Sequence, residues 1–181
     1  TVRLSEIWLE QQFAQGQWSV RAGQLAADAE FFFSGLSALF LQSDWATIAA
    51  SNLPSGGAAY PLSTPGIRFK YDPTKDISLL FALLNGDPAG PGAGDEQIRN
   101  KHGLNFRVND PAFVIGEFQH RTNQDNRTPG LARTLKVGAW AHLGRFNDQR
   151  FGSDGLPLAS LASNGIPLQR RGNNGVYAVI D

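Results

Sequence analysis

The side chains of this chain that are able to do chemistry are mostly cations set inside otherwise apolar, alternating stretches. Arg68 and Lys70 sit between Ile67, Phe69 and Tyr71, Arg107 lies between Phe106 and Val108, and Lys136 lies between Leu135 and Val137. Glu6 and Glu10 share one parity, a carboxylate pair that invites a sugar-cleaving reading. That chemistry needs two carboxyl groups flanking a pocket at a defined separation, which spacing along a strand does not establish. His102, His120 and His142 are scattered without His-x-x-x-His spacing, so they read as wall residues rather than metal ligands. Residues 85–94 are rich in Gly and Pro but lack the Gly-Lys-Ser/Thr ending of a phosphate loop. Asp87, Asp95 and Glu96 offer oxygens for Ca²⁺, although solvated carboxylates are the simpler reading. The Asn126-Arg127-Thr128 triplet matches a glycosylation sequon of a kind that arises often by chance. No catalytic group, cofactor or metal is expected.

Composition removes further classes. The chain has 181 residues, a formal net charge of zero and a pI near 6.8, so it is long enough for one domain and carries no basic footprint for nucleic acid. Cysteine is absent, which excludes disulfide scaffolds, thiolate metal sites and cysteine nucleophiles together. Methionine is absent too, so the first residue is not expected to be a translation start, and no basic stretch followed by an apolar run opens the chain. The longest strongly apolar run, 77–84, falls well short of the roughly 20 residues of a spanning helix. A membrane role would have to use strands.

The elements that must position the charges are β-hairpins. Ile7, Leu9 and Phe13 share one parity, while Glu6, Trp8, Glu10 and Gln12 share the other. After a turn at 14–17, Trp18, Val20 and Ala22 alternate with Ser19, Arg21 and Gly23. The pattern recurs at 65–72 with 77–86, and at 101–109 with 112–121. Two more strands at about 133–144 and 174–181 bring the expected total to eight. Leu79, Phe81 and Leu83 mark one face of the fourth strand, but Leu80 and Leu84 blur the other. The connections alternate between tight and long, and the longest spans 27–64. Within it Phe31, Phe32, Phe33, Leu36, Leu39, Phe40 and Leu41 form an apolar cluster, and Asp44 is placed to cap a short helix through Ala50. Such a segment is expected to pack against the inner wall of a barrel or against a neighbouring subunit. With eight strands, 146–173 falls at the tight-turn end despite its length, which implies either a missed strand pair or a large excursion.

A sheet with one greasy face and one charged face has two solutions. A water-soluble sandwich, such as a carbohydrate-binding module, hides the apolar faces in a core. An outer-membrane barrel turns them toward lipid and lines an aqueous lumen with the charges. In the barrel, sliding a strand by one residue places its Arg or Lys in lipid at about 2–4 kcal/mol near the midplane, so the charges help to set the register.

Several stretches resemble the carbohydrate-selective porins of the OprB family: VRAGQLAADAEFF from Val20, SNLPSGGAAYPLSTPGIRFKYDP from Ser51, NGDPAGPG from Asn85, HGLNFRVND from His102, KVGAWAHLGRFNDQRF from Lys136 and GNNGVYAVID from Gly172. The resemblance implies an all-β, transmembrane antiparallel barrel of 16 strands in the Gram-negative outer membrane. About eight of those strands would lie here, as an internal fragment. It also implies a sugar-permeable lumen narrowed by inward-folded loops, with 27–64 as the candidate constriction. The implied partners are mono- and oligosaccharides in transit, outer-membrane lipid and, as in some porins of this class, further copies of the same chain.

A selective path for neutral polyols needs planar donors, carboxylate acceptors and aromatic faces. Arg21, Arg68, Lys70, Arg107 and Lys136 are the candidate donors, and Glu6, Glu10 and Glu117 the candidate acceptors. Trp8 and Trp140 are candidates to stack on a sugar ring, and so is Trp45 if the long loop folds inward. Each of these residues also fits a plainer role in an ion-pair ladder between cross-strand neighbours.

Overall fold

The chain folds into strands β1 (Ile7–Phe13), β2 (Trp18–Leu25), β3 (Thr64–Thr74), β4 (Ile77–Asn85), β5 (Ala112–Thr122), β6 (Arg133–Gly152) and β7 (Pro167–Ile180). All seven form one antiparallel sheet in which each strand lies beside its neighbours in sequence. The computed structural model describes residues 2–36, 39, 58–92, 94–125 and 129–181. Trp45, the expected helix after Asp44, the Phe40–Leu41 pair and the 126–128 triplet lie outside the described residues.

The expected strand at 101–109 does not form, so among the described residues the sheet has seven strands rather than eight. Its Leu104, Phe106 and Val108 alternate as a strand would, yet the backbone donors there are used locally, by Phe106 N to Leu104 O at 3.1 Å and Arg107 N to Asn105 O at 3.0 Å. Side chains tie the same stretch to the loop around it. Asn100 donates to Pro88 O at 2.8 Å and accepts from Asn105 N at 3.3 Å, and Asp95 caps the single-turn helix α1 (Glu96–Arg99). Periodicity alone did not reveal this competition from turn chemistry.

Removing that strand restores the alternation of connections. The shorter ones, 14–17, 75–76 and 123–132, lie at one end of the sheet, and 26–63, 86–111 and 153–166 lie at the other. The troublesome stretch 146–173 is the outer part of the β6–β7 hairpin, whose two strands run on past two register shifts. At 20 residues, β6 is about twice as long as a tilted strand needs to cross a bilayer.

Cross-strand register sorts the side chains into rows. One face carries the row Phe13, Trp18, Tyr71, Leu79, Phe118, Val137 and Ala178, and the next row inward runs through Val20, Phe69, Phe81 and Val176. Most of these aliphatics and aromatics are exposed, Val176 at 84%, as is Leu9 on the same face at 84%, while Val20 and Tyr71 are half-buried. Trp18 and Tyr71 stack at 4.1 Å toward the short-turn end of this band. A sandwich would cover such a face with a second sheet, whereas lipid leaves it bare and apolar.

The opposite face carries the rows Glu10, Arg21, Arg68, Ala82, Ile115, Trp140 and Gly175, then Gln12, Ser19, Lys70, Leu80, Glu117, Gly138 and Tyr177. It is covered by the start of the β2–β3 connection. Phe31 and Phe32 are buried in one cluster with Leu80, Ala82, Leu84, Phe113, Ile115 and Tyr177. The apolar residues that blur the second face of β4 are therefore the floor on which the loop sits. Gly138 is required where Tyr177 folds across it, because a Cβ there would meet the Tyr177 ring at 2.2 Å.

The assignment of faces is testable by charge insertion. In full-length protein refolded into bilayers, Phe81→Arg is expected to cost about 2–4 kcal/mol of unfolding free energy, and Gln12→Arg on the other face under about 1 kcal/mol. Equal costs would contradict the lipid-facing band.

Candidate functional site

Arg21 of β2 and Arg68 of β3 stand directly opposite each other in the sheet, an arrangement of like charges that repels. Two carboxylates resolve it. Glu10, across from Arg21 on β1, lies 2.8 Å from Arg21 Nη2 and 3.3 Å from Arg68 Nη2. Glu30, from the covering segment, lies 2.5 Å from Arg21 Nη1 and 2.7 Å from Arg68 Nε. Arg68 also donates to the Ser19 hydroxyl and is almost fully buried, with 4% side-chain exposure. The Arg21 guanidinium lies 3.8 Å over the Trp8 ring, which remains 40% exposed.

A second node is built on Glu117 of β5. One carboxylate oxygen accepts from Tyr177 OH at 2.5 Å and from the Phe32 backbone N–H at 3.1 Å, and the other accepts from Gln119 Nε2 at 2.6 Å. Phe32 adopts φ +61°, unusual for a bulky residue, and this hydrogen bond together with the Tyr177 ring at 5.0 Å holds it there. Beside it, Lys136 Nζ donates to Phe33 O at 2.5 Å, and Ser34 Oγ and Gly35 N donate to the two oxygens of Asp181, the latter at 3.0 Å. From Gln119 the polar chain continues through Arg121 at 2.8 Å to Ser78 at 2.9 Å, then to Asp72, which pairs with Lys70 at 2.9 Å.

The sequence-derived candidates thus divide. Arg21, Arg68, Lys70, Lys136, Glu10 and Glu117 lie on the loop-covered face, and all but Lys70 touch the loop or an arginine that does. Glu6 precedes β1 and accepts from Ala26 N at 2.8 Å, anchoring the start of the loop. Trp140 is buried against Phe113, its ring centroid 6.0 Å away, and over Gly175. Arg107 stands apart: with the strand around it gone, it sits in the 86–111 loop and forms a two-pronged pair with Asp110 at 2.5 and 2.7 Å. Trp45 is outside the described residues. The sequence reading missed Glu30, Tyr177, Asp181 and Ser19. Glu30 belongs to no strand pattern, and only the apolar run that follows it hinted that its segment would dock.

Among groups outside the strands, the Arg107 fork holds the Asp110 carboxyl below the usual carboxylate range. Burial pushes the Asp28 carboxyl up, against the opposing Tyr60 N–H at 3.0 Å. Asp87 and Asp95 cap their own turns, accepting from Gly90 N and Gln97 N, each at 2.8 Å. Among the described residues no helix is long and apolar enough to cross a membrane.

An antiparallel wall with a bare apolar face, a polar face under a docked loop, and alternating short and long connections is the wall of an outer-membrane β-barrel. Residues 1–181 match the model of the carbohydrate-selective porin, OprB family, and the chain belongs to that family. Its fold resembles the high-pH structure of Pseudomonas putida OprB, with a TM-score of 0.78 at 17% identity. That match covers 98% of this chain and 40% of the solved one. No curated protein matches the chain.

Two outcomes test the site. Tyr177→Phe keeps the ring and removes the hydroxyl from Glu117, at an expected cost of about 1–3 kcal/mol to unfolding of the full-length porin. Because the folded pKa of Asp110 lies below its unfolded value of about 3.9, the stability from the Arg107 pair is complete above that value. It is lost as pH falls further, through the folded pKa. Pepsin cleavage within 86–111, taken relative to an unstructured substrate at each pH, should therefore stay slow near pH 4 and accelerate as pH falls further, and Arg107→Gln should flatten that dependence.

Proposed function

We propose that the whole protein is a passive, sugar-preferring diffusion channel of the Gram-negative outer membrane, driven by the solute gradient and performing no catalysis. The observation that carries this reading is the laying of residues 27–36 across the charged face of a wall whose other face is bare and apolar. That is the geometry of a loop folded into a lumen, and 27–64 is accordingly read as the constricting segment.

Once the loop is docked, accessible polar surface remains on β1–β3. Trp8, Arg21, Glu10 and Lys70 combine an exposed ring edge, a guanidinium, a carboxylate and an ammonium with partial side-chain exposures of 18%, 20% and 33% for the charged three. In the proposed path these residues touch the solute, offering donors and acceptors to hydroxyls and an aromatic surface to a ring. Arg68, Glu117, Lys136 and Trp140 support the loop beneath. Each contact is weak enough to release sugar, as conduction demands. Lipid meets the opposite face.

In planar bilayers the full-length protein is expected to pass ions with a current reduced by a permeant sugar, and Trp8→Ala should weaken that block about 2- to 10-fold while leaving the open conductance nearly unchanged. Ohmic current indifferent to every mono- and disaccharide tested would identify a general porin instead.

A further inference from the structure

We propose that Glu30 sets the ion selectivity of the path, as the loop-borne counter-charge to a guanidinium pair that the wall does not neutralise by itself. This rests on the reading of 27–64 as a segment lying inside the lumen.

Arg21 and Arg68 are fixed opposite each other by register, and the row they belong to continues through Ala82, Ile115, Trp140 and Gly175 without another charge. On the β1 side, Glu10 is the single anion in that row. The wall alone therefore presents two positive charges and one negative. Ser19 contributes a neutral hydroxyl. Glu6 lines the same small cavity, but one of its oxygens is taken by Ala26 N, and among the described residues it forms no ion pair with either arginine. Glu30 reaches both guanidinium groups and brings the cluster to neutrality.

The position of Glu30 is not left to a flexible tether. It follows the 3₁₀ turn Ala27–Ala29, donates its own N–H to Ala27 O at 3.3 Å, and is succeeded by Phe31 and Phe32, both buried against the wall. Arg68, nearly stripped of water, has to keep an anionic partner. A fixed charge beside a narrow aqueous path with low-dielectric walls biases which ions enter, so the balance of this cluster is read out as selectivity.

The experiment uses full-length porin in planar bilayers under a KCl gradient, without sugar. Glu30→Gln keeps the size and removes the charge, and the reversal potential should move toward anions, raising the anion-to-cation permeability ratio about twofold or more. Arg68→Gln should move it the opposite way, and the double variant should return close to wild type. An unchanged reversal potential for Glu30→Gln overturns the proposal. If that variant does not assemble, Arg68→Gln decides: no shift, or a shift toward anions, overturns it. Failure of both variants to assemble also overturns it, because the cluster would then be a folding determinant rather than a selectivity element. With no sugar present, a channel indifferent to sugars would still show these shifts, so the two readings fail separately.

Discussion

Adjacent residues of a strand point to opposite faces, and in this wall the two faces meet different surroundings. That constraint accounts for the alternation within the apolar band, as β4 shows. Leu79, Phe81 and Leu83 lie toward the bare face while Ser78, Leu80 and Ala82 lie toward the loop, and a one-residue slip would exchange the sets. The cations sharpen the constraint, because Arg68 and Lys70 have polar partners on one side of the sheet, while the other side of β2–β4 carries Val20, Ile67, Phe69, Tyr71 and Phe81. Register, and with it each contact of the site, follows from where those charges are tolerated.

Satisfying one face creates the next problem. Two arginines in register repel, and part of the same face, on β4 through β7, is apolar enough to need cover. The segment after β2 answers both at once, with Glu30 between the guanidiniums and Phe31 and Phe32 over Leu80, Ala82 and Ile115. Polar and apolar docking reinforce each other. The aromatic burial holds Glu30 where its charge is effective, while Glu117 accepts from Phe32 N and Lys136 donates to Phe33 O, satisfying backbone groups that the burial would otherwise strand without water.

What was legible in the sequence is what period-two alternation encodes. The first hairpin, the Ile67–Lys70 stretch, and the strands around Glu117 and Lys136 lie where the pattern placed them. The resemblance placed the family from words spread along the chain. Residues 101–109 misled because Leu104, Phe106 and Val108 alternate without an available ladder, their backbone donors being spent on local turns. The extension of β6 and β7 was hidden because Gly144, Gly152 and the polar run around Asn147 break the apolar alternation beyond the lipid-facing zone, where nothing enforces it. At the site, strand residues were found and their loop partners were not. A carboxylate 38 residues from one of its arginines, Arg68, and nine from the other, Arg21, leaves no periodic trace, and Glu30 becomes visible only when the chain is folded back.

The described start of the loop, residues 27–36, also separates the buried candidates from the accessible ones. Phe31 and Phe32 pack over the β4–β7 part of the polar face, where Glu117 and Lys136 act as fastenings, while Trp140 is buried against Phe113 and Gly175. On the β1–β3 part those described residues contribute the Glu30 carboxylate, and Trp8, Glu10, Arg21 and Lys70 stay partly exposed. Sequence parity alone treats Trp8 and Trp140 as equivalent, since both point to the same side of the sheet. Packing separates them: Trp140 lies flat against Gly175 at 9% exposure, whereas Trp8 carries only a guanidinium on its ring and stays 40% exposed. The proposed sugar path therefore runs along the first three strands, where a stacked arginine and tryptophan present a planar donor and an aromatic surface side by side.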